Sequence, residues 1–182
     1  GGSNTALGKG ALYANTTGTR NLAIGFGAYD ASDTENDNIA IGYDAMTTNT
    51  AGGTKNIALG NYALDALTSG DSNIGIGYNA LTANTTGIKN SAVGENTLAT
   101  NTTGSGNVSV GHNALYSNTT ANDNVALGKD SLYTNETGAN NTAVGKDAMY
   151  NNTASDNTAV GKGALQANTT GASNVAIGKS AL

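Results

Sequence analysis

One pattern recurs along the whole chain and constrains its fold more than any other feature. It is seen most plainly as Asn-Ile-Ala-Ile-Gly-Tyr-Asp-Ala-Met at residues 38–46, and it occurs eleven times, at spacings of 17 residues with one of 18 and one of 16. The copies begin at Asn4, Asn21, Asn38, Asn56, Asn73, Asn90, Asn107, Asn124, Asn141, Asn157 and Asn174. A short, uninterrupted period predicts that one supersecondary unit is stacked repeatedly, so residues 1–182 form one continuous array.

Composition narrows the class of protein further. Charged residues make up 12% of the chain, and there is no proline, cysteine or tryptophan. Disordered chains do not return apolar residues to the same repeat position eleven times, so we reject disorder. A net charge of -5 argues against nucleic acid or an anionic membrane surface as a partner, because both require a basic face. No stretch approaches the roughly 18 apolar residues that insertion into a bilayer requires.

Two repeat positions never vary when the asparagine is counted as position 0. Position 0 is always Asn, and position 4 is always Gly. An unvarying Gly after a short apolar run indicates a positive φ angle or a close approach by a neighbouring backbone. Asn stacked on Asn predicts a ladder of side-chain hydrogen bonds. Residues predicted to have these turn and ladder roles include Asn21, Gly25, Asn38, Gly42, Asn90, Gly94, Asn124, Gly128, Asn157 and Gly161.

The apolar positions predict the core. Position 3 is always Ile, Leu or Val, position 8 is Leu or Met except for Tyr29, and positions 2 and 7 are nearly always Ala. A large residue beside a small one at a fixed spacing is typical of a packed interior. The predicted core residues at position 3 are Ile24, Ile41, Leu59, Ile76, Val93, Val110, Leu127, Val144 and Val160.

The spacing favours strands over helices. Within Asn-x-Ala-Ile-Gly, alternation places positions 1 and 3 on one face of a strand and position 2 on the other. The following Ala-Leu is predicted to be a second short strand, and Asn-Thr-Thr-Gly the return turn. A helical repeat needs roughly 33 or more residues, twice the length available. The prediction is an all-β solenoid of about eleven rungs, each of 16–18 residues.

The repeat has a family resemblance. Asn-x-Ala-Ile-Gly-x-x-Ala-Leu resembles the repeat of YadA-like heads of trimeric autotransporter adhesins, and the longer form with Asn-Thr-Thr-Gly resembles repeats of phage tail-fibre shafts. The resemblance implies a left-handed β-roll assembled as a parallel homotrimer. It also implies an elongated, non-catalytic fibre that is extracellular, on the cell surface or part of a virion. The adhesin repeat is typically shorter, so the turn after position 8 is expanded here.

Several side chains form candidate sites. Tyr116, Tyr133 and Tyr150 occupy position 9 of three consecutive rungs, and Tyr13 shares that position. They are interpreted as a stabilising aromatic ladder, with a sugar or receptor site as the alternative. Four lysines of the last four rungs share position 5 with His112 and are interpreted as a solvated face. The four lysines are Lys129, Lys146, Lys162 and Lys179.

The turn carries two further candidates. Six Asn-x-Thr sequons share one repeat position and offer a possible glycan ladder, although Asn and Thr are also ordinary turn formers. They begin at Asn15, Asn84, Asn101, Asn118, Asn135 and Asn168. Paired threonines suggest an ice-binding array, which is interrupted at Ala51, Ser69 and Ala154.

The sequence thus predicts a structural protein without catalytic residues, cofactor or metal. A single histidine cannot complete a nucleophile, base and orienting group, or a metal site. The expected partners are copies of the chain, with a host receptor or glycan as a further possibility. Both ends break within the pattern, which predicts a longer parent fibre or end-to-end stacking. The alternatives are therefore a self-polymerising surface filament, and an ice- or glycan-binding solenoid.

Overall fold

The computed structural model describes residues 2–49 and 52–182, so Ala51 lies outside the described residues. Over these residues the chain forms a parallel β-solenoid of about ten turns, with no helix. The predicted all-β solenoid is confirmed. Each rung contributes one three-residue strand. The strands are β1 Thr5–Leu7, β2 Leu22–Ile24, β3 Ile39–Ile41, β4 Ile57–Leu59, β5 Ile74–Ile76, β6 Ser91–Val93, β7 Val108–Val110, β8 Val125–Leu127, β9 Thr142–Val144, β10 Thr158–Val160 and β11 Val175–Ile177.

The strands form one parallel sheet in chain order, and equal repeat positions lie side by side. Ala40 pairs with Ala58 across the 18-residue spacing, and Ala143 pairs with Ala159 across the 16-residue spacing. The added and missing residues are therefore absorbed in the turns, because a one-residue slip in a strand would exchange its two faces.

The predicted second strand is wrong. Residues at position 8 have left-handed backbone angles in all eleven rungs, with φ between 50° and 58°, and a strand requires a strongly negative φ. Positions 6 and 16 are left-handed as well, for example Asn96 and Lys89. This half of the rung is a chain of turns, and its backbone still bonds to the next rung, as from Leu98 N–H to the Ala114 carbonyl at 3.1 Å.

The prediction that position 3 forms the core is wrong for the described chain. Those side chains are half-buried or exposed, with Leu59 at 40% and Val110 at 42% exposure. The interior face of each strand is position 2, whose alanines from Ala23 to Ala176 are at most 3% exposed. Leu and Met at position 8 pack against those small residues. The misassigned residues are Ile24, Ile41, Leu59, Ile76, Val93, Val110, Leu127, Val144 and Val160.

The physical reason is the narrow interior of the rung. An alanine layer on the strand side leaves room for one leucine-sized side chain from the turn side, and position 8 already supplies it. Two of the polar replacements for these alanines are matched: Thr97 at position 7 and Ser109 at position 2 are buried and hydrogen-bond to each other.

Candidate interaction surface

The outward face of the sheet carries a continuous apolar column, with polar residues beside it at Thr5, Ser91, Thr142 and Thr158. Positions 1 and 3 of all eleven strands point away from the interior, and position 3 is Ile, Leu or Val throughout. We call these residues the strand face. At about 4.8 Å per strand, the strand face runs for roughly 50 Å along the solenoid. An apolar patch of that extent is typical of a surface that contacts another protein.

Asparagines at position 0 hold the strands in place from the inside. The Asn90 side-chain oxygen accepts a hydrogen bond from the Asn107 backbone N–H at 3.0 Å, and equivalent bonds connect successive rungs from Asn4 to Asn174. The Asn90 amide nitrogen donates to the Gly104 carbonyl across the rung at 2.8 Å. Each such asparagine therefore closes its own rung and ties it to the next.

Glycines at position 4 combine both features expected of them. Gly94 has a φ of +138°, and an added Cβ would lie 2.6 Å from the Gly111 carbonyl oxygen. The same close approach recurs from Gly8 to Gly161, always to the glycine of the next rung. The backbones therefore touch along this line, and only glycine fits.

The sequon asparagines form a second buried ladder that sequence reasoning missed. Asn118 donates to the Asn101 side-chain oxygen at 2.7 Å, and Asn101 donates to that of Asn84 at 2.8 Å. Asn84, Asn101, Asn118 and Asn135 have no exposed surface. A glycan on any of these four would require the rung to open, so the glycosylation hypothesis is wrong for them. It stays a prediction for the half-buried Asn15 and Asn168.

The tyrosines of position 9 stack in register. Tyr133 lies between Tyr116 and Tyr150, with ring centroids 5.3 and 5.0 Å away and planes within 8° of parallel. Both faces of Tyr133 are therefore covered, and its partial burial and the neighbouring rings raise its pKa. Tyr13 stands apart and is 87% exposed. Recognition of a sugar at this ladder stays a prediction.

A second aromatic column lies at positions 5 and 6 of earlier rungs. Phe26 stacks on Tyr43 at 5.3 Å, followed by edge-on contacts to Tyr62 and then Tyr78. The Lys9 ammonium lies 5.7 Å from the Phe26 ring centre. The signal was present in the sequence, but Tyr62 is one position out of phase with the others.

The lysine column has the character of a solvated face. Lys129 and Lys146 are each within 4.0 Å of the aspartate that follows them, at 3.7 and 3.5 Å. His112 is exposed, and its Nδ1 lies 4.0 Å from Asp130. Within the part of the chain that the structure describes, no cluster of His, Asp or Glu is suited to a metal ion.

Some threonine hydroxyls of the turn donate hydrogen bonds to the backbone. The hydroxyls of Thr85 and Thr102 each donate to a carbonyl of the next rung at 3.0 Å. A hydroxyl engaged in this way is less available to order water, which weakens the ice-binding alternative.

One buried polar group was not foreseen. Tyr29 replaces leucine at position 8, has no exposed surface, and its hydroxyl accepts hydrogen bonds from the Asn38 and Asn49 amides. Beside it, the 3% exposed Glu35 carboxylate accepts from the backbone N–H groups of Asp33 and Thr34, both at 2.9 Å. Burial raises the pKa of Tyr29 to about 12, and the charge of Glu35 adds to the effect.

Comparisons with protein-family models, with curated proteins and with solved structures gave no match to this chain. Among the described residues, none forms a helix long and apolar enough to cross a bilayer.

Proposed function

We propose that this chain is a rigid, non-catalytic shaft segment of an extracellular, cell-surface or phage fibre, and that it associates laterally with copies of itself through the strand face. The observation that carries the proposal is the uninterrupted apolar column at position 3, which position 1 widens in seven of the eleven rungs. A monomer would leave that surface in water along its whole length, whereas self-association buries it at about 25 cal/mol per Å² of apolar area.

The mechanical role follows from the direction of the hydrogen bonds. Backbone bonds between adjacent strands, the asparagine ladders and the glycine contacts all run from rung to rung. Bending or stretching the rod strains many of these contacts together. Length is then set by repeat number, and outward side chains vary without loss of the backbone contacts.

A parallel homotrimer is the proposed assembly. Three strand faces meeting around one axis would shield one another, and cyclic symmetry keeps every rung in the same environment along the rod. The family resemblance supports the number three. A receptor or glycan remains an additional proposed partner, for which the outer surface of the turns is the available site.

Light scattering together with negative-stain electron microscopy of the same sample tests this proposal. Short rods with the mass of three chains are the expected result. Long threads would favour the alternative of a filament that grows end to end, and a stable monomer at high concentration would overturn lateral association.

A substitution in the strand face tests whether this surface mediates the association. Leu127→Glu places a charge in the middle of the strand face and is expected to dissociate the rods. Thr120→Glu adds the same charge at an exposed position of the turn and is expected to leave the mass unchanged.

A further inference from the structure

Two columns of exposed side chains border the strand face. The leading column consists of the residue before each rung asparagine, and the trailing column consists of the residue after each position-4 glycine. These residues lie beyond opposite ends of the same three-residue strand. The two members of one rung are therefore roughly 15 to 20 Å apart, across the full width of the strand face.

The charges of the two columns are matched rung by rung. Three rungs carry a charge in both columns, and in each rung the two charges are opposite: Lys89 with Glu95, Asp123 with Lys129, and Asp156 with Lys162. The order of signs reverses between the first rung and the other two, so both columns change sign together. All six side chains are exposed.

These charges are largely unpaired within the chain. Over residues 2–49 and 52–182, the ion pairs within 4.0 Å are Arg20 with Asp37, and His112, Lys129 and Lys146 with nearby aspartates. Lys89, Glu95, Asp123 and Lys162 take part in none of them. Their partners across the strand face are too distant to be reached in the same chain.

We propose that copies of this chain associate in parallel and in register, with the trailing column of one copy against the leading column of the next. The inference rests on the proposed lateral self-association and specifies its geometry. Around an axis parallel to the rods, opposite flanks of two copies meet, because contacts are heterologous in a ring of three or more copies and a two-fold axis along the rods exchanges the flanks in a dimer. Glu95 then meets Lys89 of the next copy, Lys129 meets its Asp123, and Lys162 meets its Asp156.

Other alignments pair these charges less well. A shift by one rung in one direction sets Lys9 against Arg20 and keeps one opposite pair, Lys146 with Asp156. A shift in the other direction leaves Glu95 facing Ser72 and keeps two opposite pairs, Lys146 with Asp123 and Lys179 with Asp156. The in-register arrangement instead gives three opposite pairs and no like pair.

An antiparallel arrangement is also disfavoured. With full overlap of the two strand faces it places Glu95 against its own copy, Lys89 against its own copy, and Lys9 against Lys179. It gains contacts of Lys55 with Asp123 and of Arg20 with Asp156, but Arg20 already pairs with Asp37 inside the chain.

Charge reversal tests the register. Glu95→Lys creates a like-charge contact at every interface and is expected to raise the dissociation constant about fivefold per interface at low salt. The double variant Lys89→Glu with Glu95→Lys restores the pair and is expected to return the constant to the native value. The matched control is Lys55→Glu with Glu95→Lys, which has the same net charge but places the new carboxylate two rungs away, and it is expected to remain weakened.

Sedimentation equilibrium over a concentration series, at low and high salt, measures these constants, and circular dichroism verifies that each variant is folded. Rescue by the Lys55 control, or by Ser72→Glu with Glu95→Lys, would overturn the in-register alignment while leaving self-association intact. No effect of Glu95→Lys on an oligomer would also overturn it. A native chain that stays monomeric would instead remove the proposed function itself, so the two failures are distinguishable.

Discussion

A Cβ atom added to Gly94 would lie 2.6 Å from the carbonyl oxygen of Gly111, a contact between two backbones that neither rung can relieve. We therefore predict that Gly94→Val lowers the free energy of unfolding by about 3 kcal/mol or more, through this clash and a φ of +138° that side chains rarely adopt. Urea unfolding at a fixed protein concentration measures the effect.

Gly163→Asn is the control for this prediction. Gly163 also has a positive φ, of +64°, but the nearest atom to an added Cβ is the flexible end of Gln166, at 3.3 Å. Asparagine already occupies the same repeat position in three rungs, for example at Asn96 with a φ of 54°. We expect little change in stability, and equal losses in the two variants would contradict the role assigned to position 4.

Position 8 combines a buried side chain with a left-handed backbone. Leu115 has no exposed surface and a φ of 51°. A β-branched side chain at such a φ is strongly disfavoured. We predict that Leu115→Ile costs about 2 kcal/mol more than Leu115→Met, since methionine occupies this position in two rungs without β-branching. Thermal unfolding compares the two, and an isoleucine variant as stable as the methionine variant would contradict the prediction.

The sequence predicts some features of this fold and not others. The eleven-fold period and the first strand of each rung follow from spacing alone, whereas the predicted second strand is a chain of turns. The identity of the core does not, because Ile24 and Leu98 are equally apolar and the pattern does not say which one points inward. The clue lay in side-chain branching: position 3 contains Ile and Val freely, whereas position 8 never contains either.

The buried polar groups were harder to predict. Asn101 belongs to a turn motif that is common on protein surfaces, and only the folding of the turn over the end of the rung buries it. The pairing of Thr97 with Ser109, and of Tyr29 with Asn49, joins residues 12 and 20 apart that no periodic argument connects. Such contacts depend on the closure of the rung in space.

The asparagine ladder at position 0 predicts that the side-chain amide nitrogen of Asn107 is required for full stability. The Asn107 amide nitrogen donates to the Asn90 side-chain oxygen at 3.2 Å and to the Ala121 carbonyl at 2.9 Å. Asn107→Asp replaces this donor by a carboxylate oxygen that faces two acceptors, at an expected cost of about 2 to 4 kcal/mol at neutral pH. Part of the loss should return as the pH falls, because a protonated carboxyl donates again and burial raises its pKa.

Asn122→Asp is the control, because it makes the same replacement of an amide nitrogen by a carboxylate oxygen at an exposed asparagine. The exposed Asn122 uses its side-chain oxygen to accept from the Ser105 backbone N–H at 2.7 Å. Three rungs earlier an aspartate, Asp71, accepts from the Thr54 backbone N–H in the same way. We expect this variant to keep its stability at neutral pH and, unlike Asn107→Asp, to gain none as the pH falls, because a carboxylate that accepts a backbone N–H is stabilised in its charged form. Urea unfolding at neutral and acidic pH compares the two, and a loss for Asn107→Asp that does not depend on pH would contradict the assignment.

Because of Tyr29, the free energy of unfolding is expected to decrease at alkaline pH. Burial raises its pKa to about 12 in the folded chain, compared with about 10 when unfolded. Below about pH 10 the phenol is protonated in both states, and its contribution to stability is fully present. Between about pH 10 and pH 12 only the unfolded state loses the proton, so stability falls by roughly 2 to 3 kcal/mol, the equivalent of two pKa units.

Tyr29→Leu isolates this effect because leucine is the usual residue of position 8 and does not ionise. The amides of Asn38 and Asn49 also donate to the Gly53 carbonyl, at 2.9 and 2.8 Å, so neither loses its last partner in the variant. Unfolding in urea from about pH 9 to about pH 12 should show a native stability that falls more steeply than that of the variant. Parallel curves would mean that the Tyr29 phenol titrates equally in the folded and unfolded chain, and that its burial has no electrostatic consequence.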